Sequence, residues 1–425
     1  VRSQPPPRSR FAWAGRNYRI QTAATVISGL GNAGAPIATA FAVLENGGST
    51  AEVGYVTAAR LVPTVLLLMV GGALADRLPR HHVMVAANLF NALSQAVLAA
   101  LVLGGHAELW QLLLLSAAGG AGHAFYAPAA EGMLMQNVAK EHAARAFSVF
   151  RMGLNASQIG GAALGGALTA VVGPGWVLAV DAACFVLAAG LRFFLEAEAA
   201  PATGGGGGML RDLREGWREF ASRRWLWVIV LQFSVLVACI SAVEAVYGPI
   251  VAEQRLGGAR DWGLAMSAYG VGLVVTGVLM VRWQPRRILL VGNYGVFLFG
   301  LPAVALAAAA PLPVLAAAMF LSGAGVTVFG VNWMIALQQE IPAEMFSRVA
   351  AYDHLGSLSL APVGTALAGP AATALGLSGA LWACAVICLL LSALVLLEPQ
   401  VRRLPRRGPD ALEAQPAEPA AATVA

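Results

Sequence analysis

Stretches of about twenty apolar residues recur along the chain, at roughly 18–44, 53–75, 81–103, 109–136, 145–172, 176–195, 224–250, 262–281, 286–309, 313–338, 346–373 and 377–398. At about 1.5 Å per residue, a helix of that length crosses a hydrocarbon core of about 30 Å. Inside lipid each segment must satisfy its own backbone hydrogen bonds, so the runs are predicted to be helices. Only 12% of the 425 residues are charged, where a water-soluble chain has about a quarter. The expected fold is an all-α integral membrane protein with twelve transmembrane helices.

Positive charge sets the predicted orientation, because arginine and lysine stay on the cytoplasmic side. Arg2, Arg8, Arg10, Arg16 and Arg19 precede the first span. Alternate loops then carry Arg77 and Arg80, Lys140 and Arg145, Arg211 to Arg224, Arg282 with Arg286 and Arg287, and Arg348. Arg402, Arg403, Arg406 and Arg407 follow the last span, whereas the opposite side has only Arg255 and Arg260. Both termini are therefore expected in the cytoplasm. The net charge of +5 reads as topology and contact with the lipid bilayer rather than with nucleic acid. The opening "VRSQPPPRSRFAWAGRNYR" lacks a signal peptide's short apolar stretch and cleavage site, so the first span is expected to remain as an anchor.

The glycine-rich, charged stretch at 196–223 divides the spans six and six. The expected organisation is a cytoplasmic tail at 1–17, six-helix bundles at 18–195 and 224–398 joined by a cytoplasmic linker, and a disordered cytoplasmic tail at 399–425. Sliding the second half onto the first by 203 residues pairs Gln136 with Gln339, Glu141 with Glu344, Arg145 with Arg348 and Gly153 with Gly356. Six being even, the bundles are parallel repeats about a pseudo-two-fold axis along the membrane normal. A cavity between them, open alternately to each side, points to transport.

"GLGNAG" at 29–34, with Glu52 a little beyond, matches the spacing of a dinucleotide fingerprint, which needs a preceding strand and a soluble helix. Here the glycines lie in an uncharged run from Ile20 to Leu44, so they are expected to let another helix approach closely. Lys140 is the only lysine and stands in "NVAKEH", which excludes a P-loop ATP site. Cys184, Cys239, Cys384 and Cys388 lie within apolar runs and are read as packing residues. No cofactor or metal is expected.

After the second span comes "GGALADRLPRHH". It resembles the loop signature of the major facilitator superfamily, matched by Gly71, Leu74, Asp76, Arg77 and Arg80, with His81 at a usually basic position. "AARLVPTVLLL", "FYAPAAEGML", "GWVLAVDAACFVL" and "RDLREGWREFASRRWLW" are similar to its enterobactin-exporter and macrolide-efflux branch over nearly all of both halves. The resemblance implies that Asp76 latches onto the start of the eleventh helix near Arg348. "SQIGGAALGG" resembles a drug-antiporter motif, with Gly161, Gly165 and Gly166 in place and Ala162 where proline is usual; tight helix packing and an antiporter seal both remain open.

Ionisable side chains within spans cost about 2.5–3.5 kcal/mol on insertion scales, so each asks for a purpose. Glu244, Asp353, Arg60 and Asp181 are the candidates for proton coupling, Arg60 and Glu244 being placed to pair across the outer mouth; a structural ion pair is the alternative for each. Asn32, His123, Tyr126, Asn155, Gln158, Gln232, Tyr269, Asn332 and Trp333 are candidates for lining the cavity, with interhelical packing the alternative. The expected function is proton-coupled export of a small amphipathic compound such as a drug, antibiotic or siderophore. Symport uptake of a nutrient or lysolipid, and a non-transporting sensor or scaffold, remain as other readings.

Overall fold

The computed structural model describes residues 14–136, 143–195 and 209–406, and helices account for nearly all of them. The first half runs through α1 (Arg16–Glu45), α2 (Thr50–Arg77), α3 (Arg80–Leu103), α4 (Leu109–Gln136), α5 (Ala143–Val172) and α6 (Pro174–Phe193). A short amphipathic helix, α7 (Met209–Ser222), precedes the second half. There, α8 (Arg224–Ala242) passes through a π-turn at Val243–Tyr247 into α9 (Gly248–Arg255). Next come α10 (Ala259–Arg282), then α11 (Ile288–Val296) and α12 (Leu301–Ala307) joined by a 3₁₀ turn, and α13 (Leu312–Glu340). The last long helices are α14 (Ala343–Leu358) and α15 (Ala361–Val395), followed by the short α16 (Pro399–Arg403).

Among the described residues, nine helical stretches are long and apolar enough to cross a membrane. One, Val349–Val395, has 47 residues, about 70 Å as helix and more than two bilayer cores. It takes in the end of α14 and all of α15, and α15 itself is broken at Gly376, whose φ of 72° is open to glycine at little cost, so α15 is two helices meeting at a corner. The seventh predicted span continues from Arg224 to Arg255 through the π-turn. Pro249 explains that turn: it lacks an N–H and its ring crowds the carbonyl one turn back, while the Gly248 N–H bonds Val243 O.

Within each half the helices pack as a bundle, α1 against α5 and α6, α2 against α4, and α3 against α4 and α6, with α8 on α15 and α10 and α11 on α13 in the second. The halves meet through α5 with α10 and α2 with α15. Burial is divided unevenly along this axis. At the ends remote from the termini one continuous apolar core joins both halves, from Ala35, Phe41 and Val53 to Tyr247, Trp262 and Leu381. Toward the termini the clusters separate: Met84, Ala129 and Met133 belong to the first half, and Trp225, Leu289 and Trp333 to the second. Among the described residues, apolar burial thus joins the two halves at the remote end.

Candidate functional site

The seal at the remote end is built from small residues. A Cβ on Gly166 would lie 2.8 Å from the Gly263 Cα, and one on Gly263 would lie 2.7 Å from the Ala162 carbonyl oxygen. The Ser267 hydroxyl donates to the Ile159 carbonyl at 3.1 Å across the same seam. Gly54 faces the Thr365 carbonyl and Gly369 faces the Ala51 backbone where α2 meets α15. Gly161 and Gly165 turn to α1 instead, against Leu30 and Gly34. "GLGNAG" does the same work from the other side: Gly29 lies on Ser157, Gly31 on Asp181 and Gly34 on Gly165. Glu52 has a local role, its Oε2 accepting from the Ser49 N–H at 2.6 Å in a capping box that opens α2.

The charged candidates sort into separate places. Arg60 donates from Nη2 to the Asn32 side-chain carbonyl and has Asp181 as its acidic neighbour. The expected pairing of Arg60 with Glu244 is not the one the structure makes; Asn32 on α1 lies closer to hand within the same half. Asp181 is fully buried on α6, and neither carboxyl oxygen has a hydrogen-bond partner. His123 stands on α4 with its ring 6.4 Å from that of Tyr126. Glu244 sits on the π-turn, which packs on α1 and α2 of the other half as well as on α15. It lines a small cavity with Cys239, Cys384, Cys388 and Phe299, and Tyr269 lies within its electrostatic reach. Among the described residues no group of three His, Cys, Asp or Glu could hold a metal ion.

In the second half Asp353 accepts from Trp333 Nε1 at 2.9 Å and from the Ser357 hydroxyl at 3.4 Å. Trp333 stacks on Phe329, Phe329 on Phe233, and Trp225 meets Trp333 edge-on, forming an aromatic wall. Two cavity candidates are instead sunk into helix contacts: Gln232 donates to Asn293, and Asn332 bonds its own helix at Val328. Asn155 is half-buried and Gln158 exposed on α5. Gly71 packs against the Ala124 carbonyl on α4, Leu74 is exposed, and Arg80 opens α3. The side chains of Asp76, Arg77 and Arg348 lie outside what the structure describes.

One cluster was not read from the sequence. Arg192, at the end of α6, is fully buried and donates to Gln21, Thr25 and Tyr126 at 3.2, 2.9 and 2.7 Å. An arginine at the last turn of a span looks like the end of the apolar run, and its inward aim has no sequence signature.

Residues 22–357 match the family model described as Major Facilitator Superfamily. Among curated proteins, the chain is 27% identical to the uncharacterized MFS-type transporter YfiS of Bacillus subtilis (strain 168), covering 79% of this chain and 82% of that one. It is 26% identical to the multidrug efflux pump Tap of Mycolicibacterium fortuitum, covering 90% and 95%. The nucleoside transporter NupG superposes with a TM-score of 0.70 at 10% identity, covering 90% of this chain and 99% of NupG. A bacterial homolog of the human lysosomal transporter Spinster gives 0.67 at 16%, covering 93% and 100%.

Proposed function

The chain belongs to the major facilitator superfamily and is a multi-pass membrane transporter, and from that premise we propose that it exports small amphipathic compounds by proton-coupled alternating access. The observation that carries this reading is the unequal closure of the two halves. One shared core and a glycine seam close the end remote from the termini, while at the other end the apolar clusters among the described residues stay within one half each. A seam of backbone against backbone can part and reform without repacking large side chains, as rocking of the halves requires. With both termini in the cytoplasm and twelve crossings, this is the state that loads from inside.

The direction of transport and the substrate class draw on the likeness to Tap, a multidrug efflux pump. Phe233, the half-buried ring stacked on the buried Phe329 and Trp333, gives apolar and cationic faces a surface to meet. Glu244 is our choice for the proton carrier, because it stands on the turn that contacts both halves. Asp76 remains the proposed latch to the helix carrying Arg348. The test is accumulation of a panel of labelled amphipathic compounds in cells with and without the protein, before and after collapse of the proton gradient. Lower accumulation that vanishes with the gradient is expected; higher accumulation would mean uptake by symport, and no change across the panel would remove the efflux reading.

A further inference from the structure

Arg192 is among the largest fully buried side chains of the protein, and among the described residues no acidic side chain pairs with it. Its partners are neutral: Nε donates to Gln21 Oε1, and Nη2 donates to the Thr25 and Tyr126 hydroxyls. Nη1 is buried with no partner at all. The Tyr126 ring lies 4.9 Å below the guanidinium carbon. A guanidinium keeps its charge under all ordinary conditions, so a full positive charge stands here inside the first half with no counter-charge among the described residues.

A structural clasp at this corner does not need a cation. The second half ties together its own corresponding helices with neutral groups alone: Gln232 on α8 donates to Asn293 on α11, and Asn293 donates to the Ser392 carbonyl on α15. The first half links α1, α3 and α6 through Gln21, which donates to the Met84 sulfur and accepts from Arg192. The arginine is the departure from an otherwise neutral design.

We propose that Arg192 with Thr25, covered by the displaceable Tyr126 phenol, is a binding site for an anionic oxygen group, a carboxylate carried by the transported compound; this deepens the export reading and rests on it. The guanidinium fork offers Nη1 and Nη2 side by side, the arrangement that holds a carboxylate through two parallel charge-assisted bonds. The Thr25 hydroxyl completes the set. Tyr126 is half-buried where Arg192, Gln21 and Thr25 are buried, so it is the side from which the guanidinium is reached. Its phenol takes one Nη2 hydrogen, the other going to Thr25, until a carboxylate displaces it.

The experiment uses the full chain, purified in lipid nanodiscs and in proton-loaded vesicles, with a rhodamine bearing a free carboxyl and its ethyl ester as probes. The wild-type protein is expected to bind the acid at least tenfold more tightly than the ester. Arg192→Gln should erase that difference while ester binding stays within twofold, and Arg192→Lys should retain part of it. No preference in the wild type, a preference surviving in Arg192→Gln, or equal loss of both probes would each overturn the site. If Arg192→Gln does not reach the membrane, Tyr126→Phe decides: freeing the one Nη2 hydrogen that Tyr126 holds should raise acid affinity about threefold and leave the ester unchanged, and an unchanged acid affinity would overturn the proposal. Vesicles separate the two readings. Arg192-dependent acid binding without gradient-driven movement of either probe would remove export and keep the site; export of both probes without acid preference would do the reverse.

Discussion

Gly166 and Gly263 stand back to back across the two halves, so near that a Cβ on Gly263 would come within 2.9 Å of the Gly166 Cα. Both lie on rigid helices, and the atoms that a new side chain would meet are backbone, which cannot swing aside. Gly263→Val is therefore expected to prop the remote end open and lower transport tenfold or more, with normal amounts of protein in the membrane. A cysteine pair replacing Ile159 and Ser267, in a background without the four native cysteines, should crosslink in the parent and fail to do so in Gly263→Val. Efficient crosslinking and full transport in the variant would show that the seam tolerates a side chain.

The capping box at the start of α2 gives Glu52 a measurable and purely local role. Its carboxylate takes the Ser49 N–H and Ser49 Oγ accepts from the Glu52 N–H. Removing one side of such a box costs about 1 kcal/mol. Ser49→Ala should lower thermal stability in detergent by about that amount and leave turnover within twofold, because the box faces solvent at the loop between α1 and α2.

Asp76 ends α2, where the helix dipole already presents about half a negative charge, so its carboxylate gains from a partner beyond its own helix. Asp76→Asn is expected to leave the protein in the membrane and depress transport about tenfold. Asp76→Glu should restore part of it. Wild-type turnover in Asp76→Asn would remove the latch.

Orientation rests on arginine placement and has its own test. A reporter fused after residue 207, between the halves, should give a cytoplasmic signal and lie on the same side as one fused at either terminus. An external signal there would invert the proposed direction of transport.

The helical architecture was legible because lipid leaves so few alternatives: apolar length and arginine placement alone outline the helices, and Gly376 breaks the chain in the gap expected between residues 373 and 377. The partners of charged residues were not legible. Arg60 binds Asn32, 28 positions away on the preceding helix, and the rotation of each helix about its axis decides such pairings. Rotation follows from hydrophobic asymmetry in a soluble helix, yet these helices are apolar on all faces, so the pattern carries little of it. Arg192 shows the same limit, since an arginine in the last turn is equally consistent with snorkelling outward and with reaching in. Gln232 and Asn332 were expected in the cavity for their polarity, and Gln232 bonds a neighbouring helix while Asn332 bonds its own instead.

Glu244 and Asp181 divide the question of where a proton is carried. Asp181 lies within the first half, with Arg60 as its charged neighbour and Arg60 already fixed to Asn32. Nothing in that arrangement spans the halves, so rocking leaves it intact. Glu244 rides on the π-turn against α1, α2 and α15 and lies within reach of Tyr269, so parting of the seam changes its surroundings. A carboxyl that meets water on one side and then the other can take up a proton and release it. Glu244→Gln is accordingly expected to abolish pH-driven exchange while retaining substrate binding within about threefold. Asp181→Asn should cost on the order of 2 kcal/mol of stability by leaving Arg60 without its neighbouring charge, with pH-driven exchange per folded molecule preserved. The decisive measurement is substrate movement in vesicles under an imposed pH gradient, paired with equilibrium binding for each variant. Exchange that survives in Glu244→Gln and disappears in Asp181→Asn would move the proton pathway into the first half and leave Glu244 a packing residue of the turn.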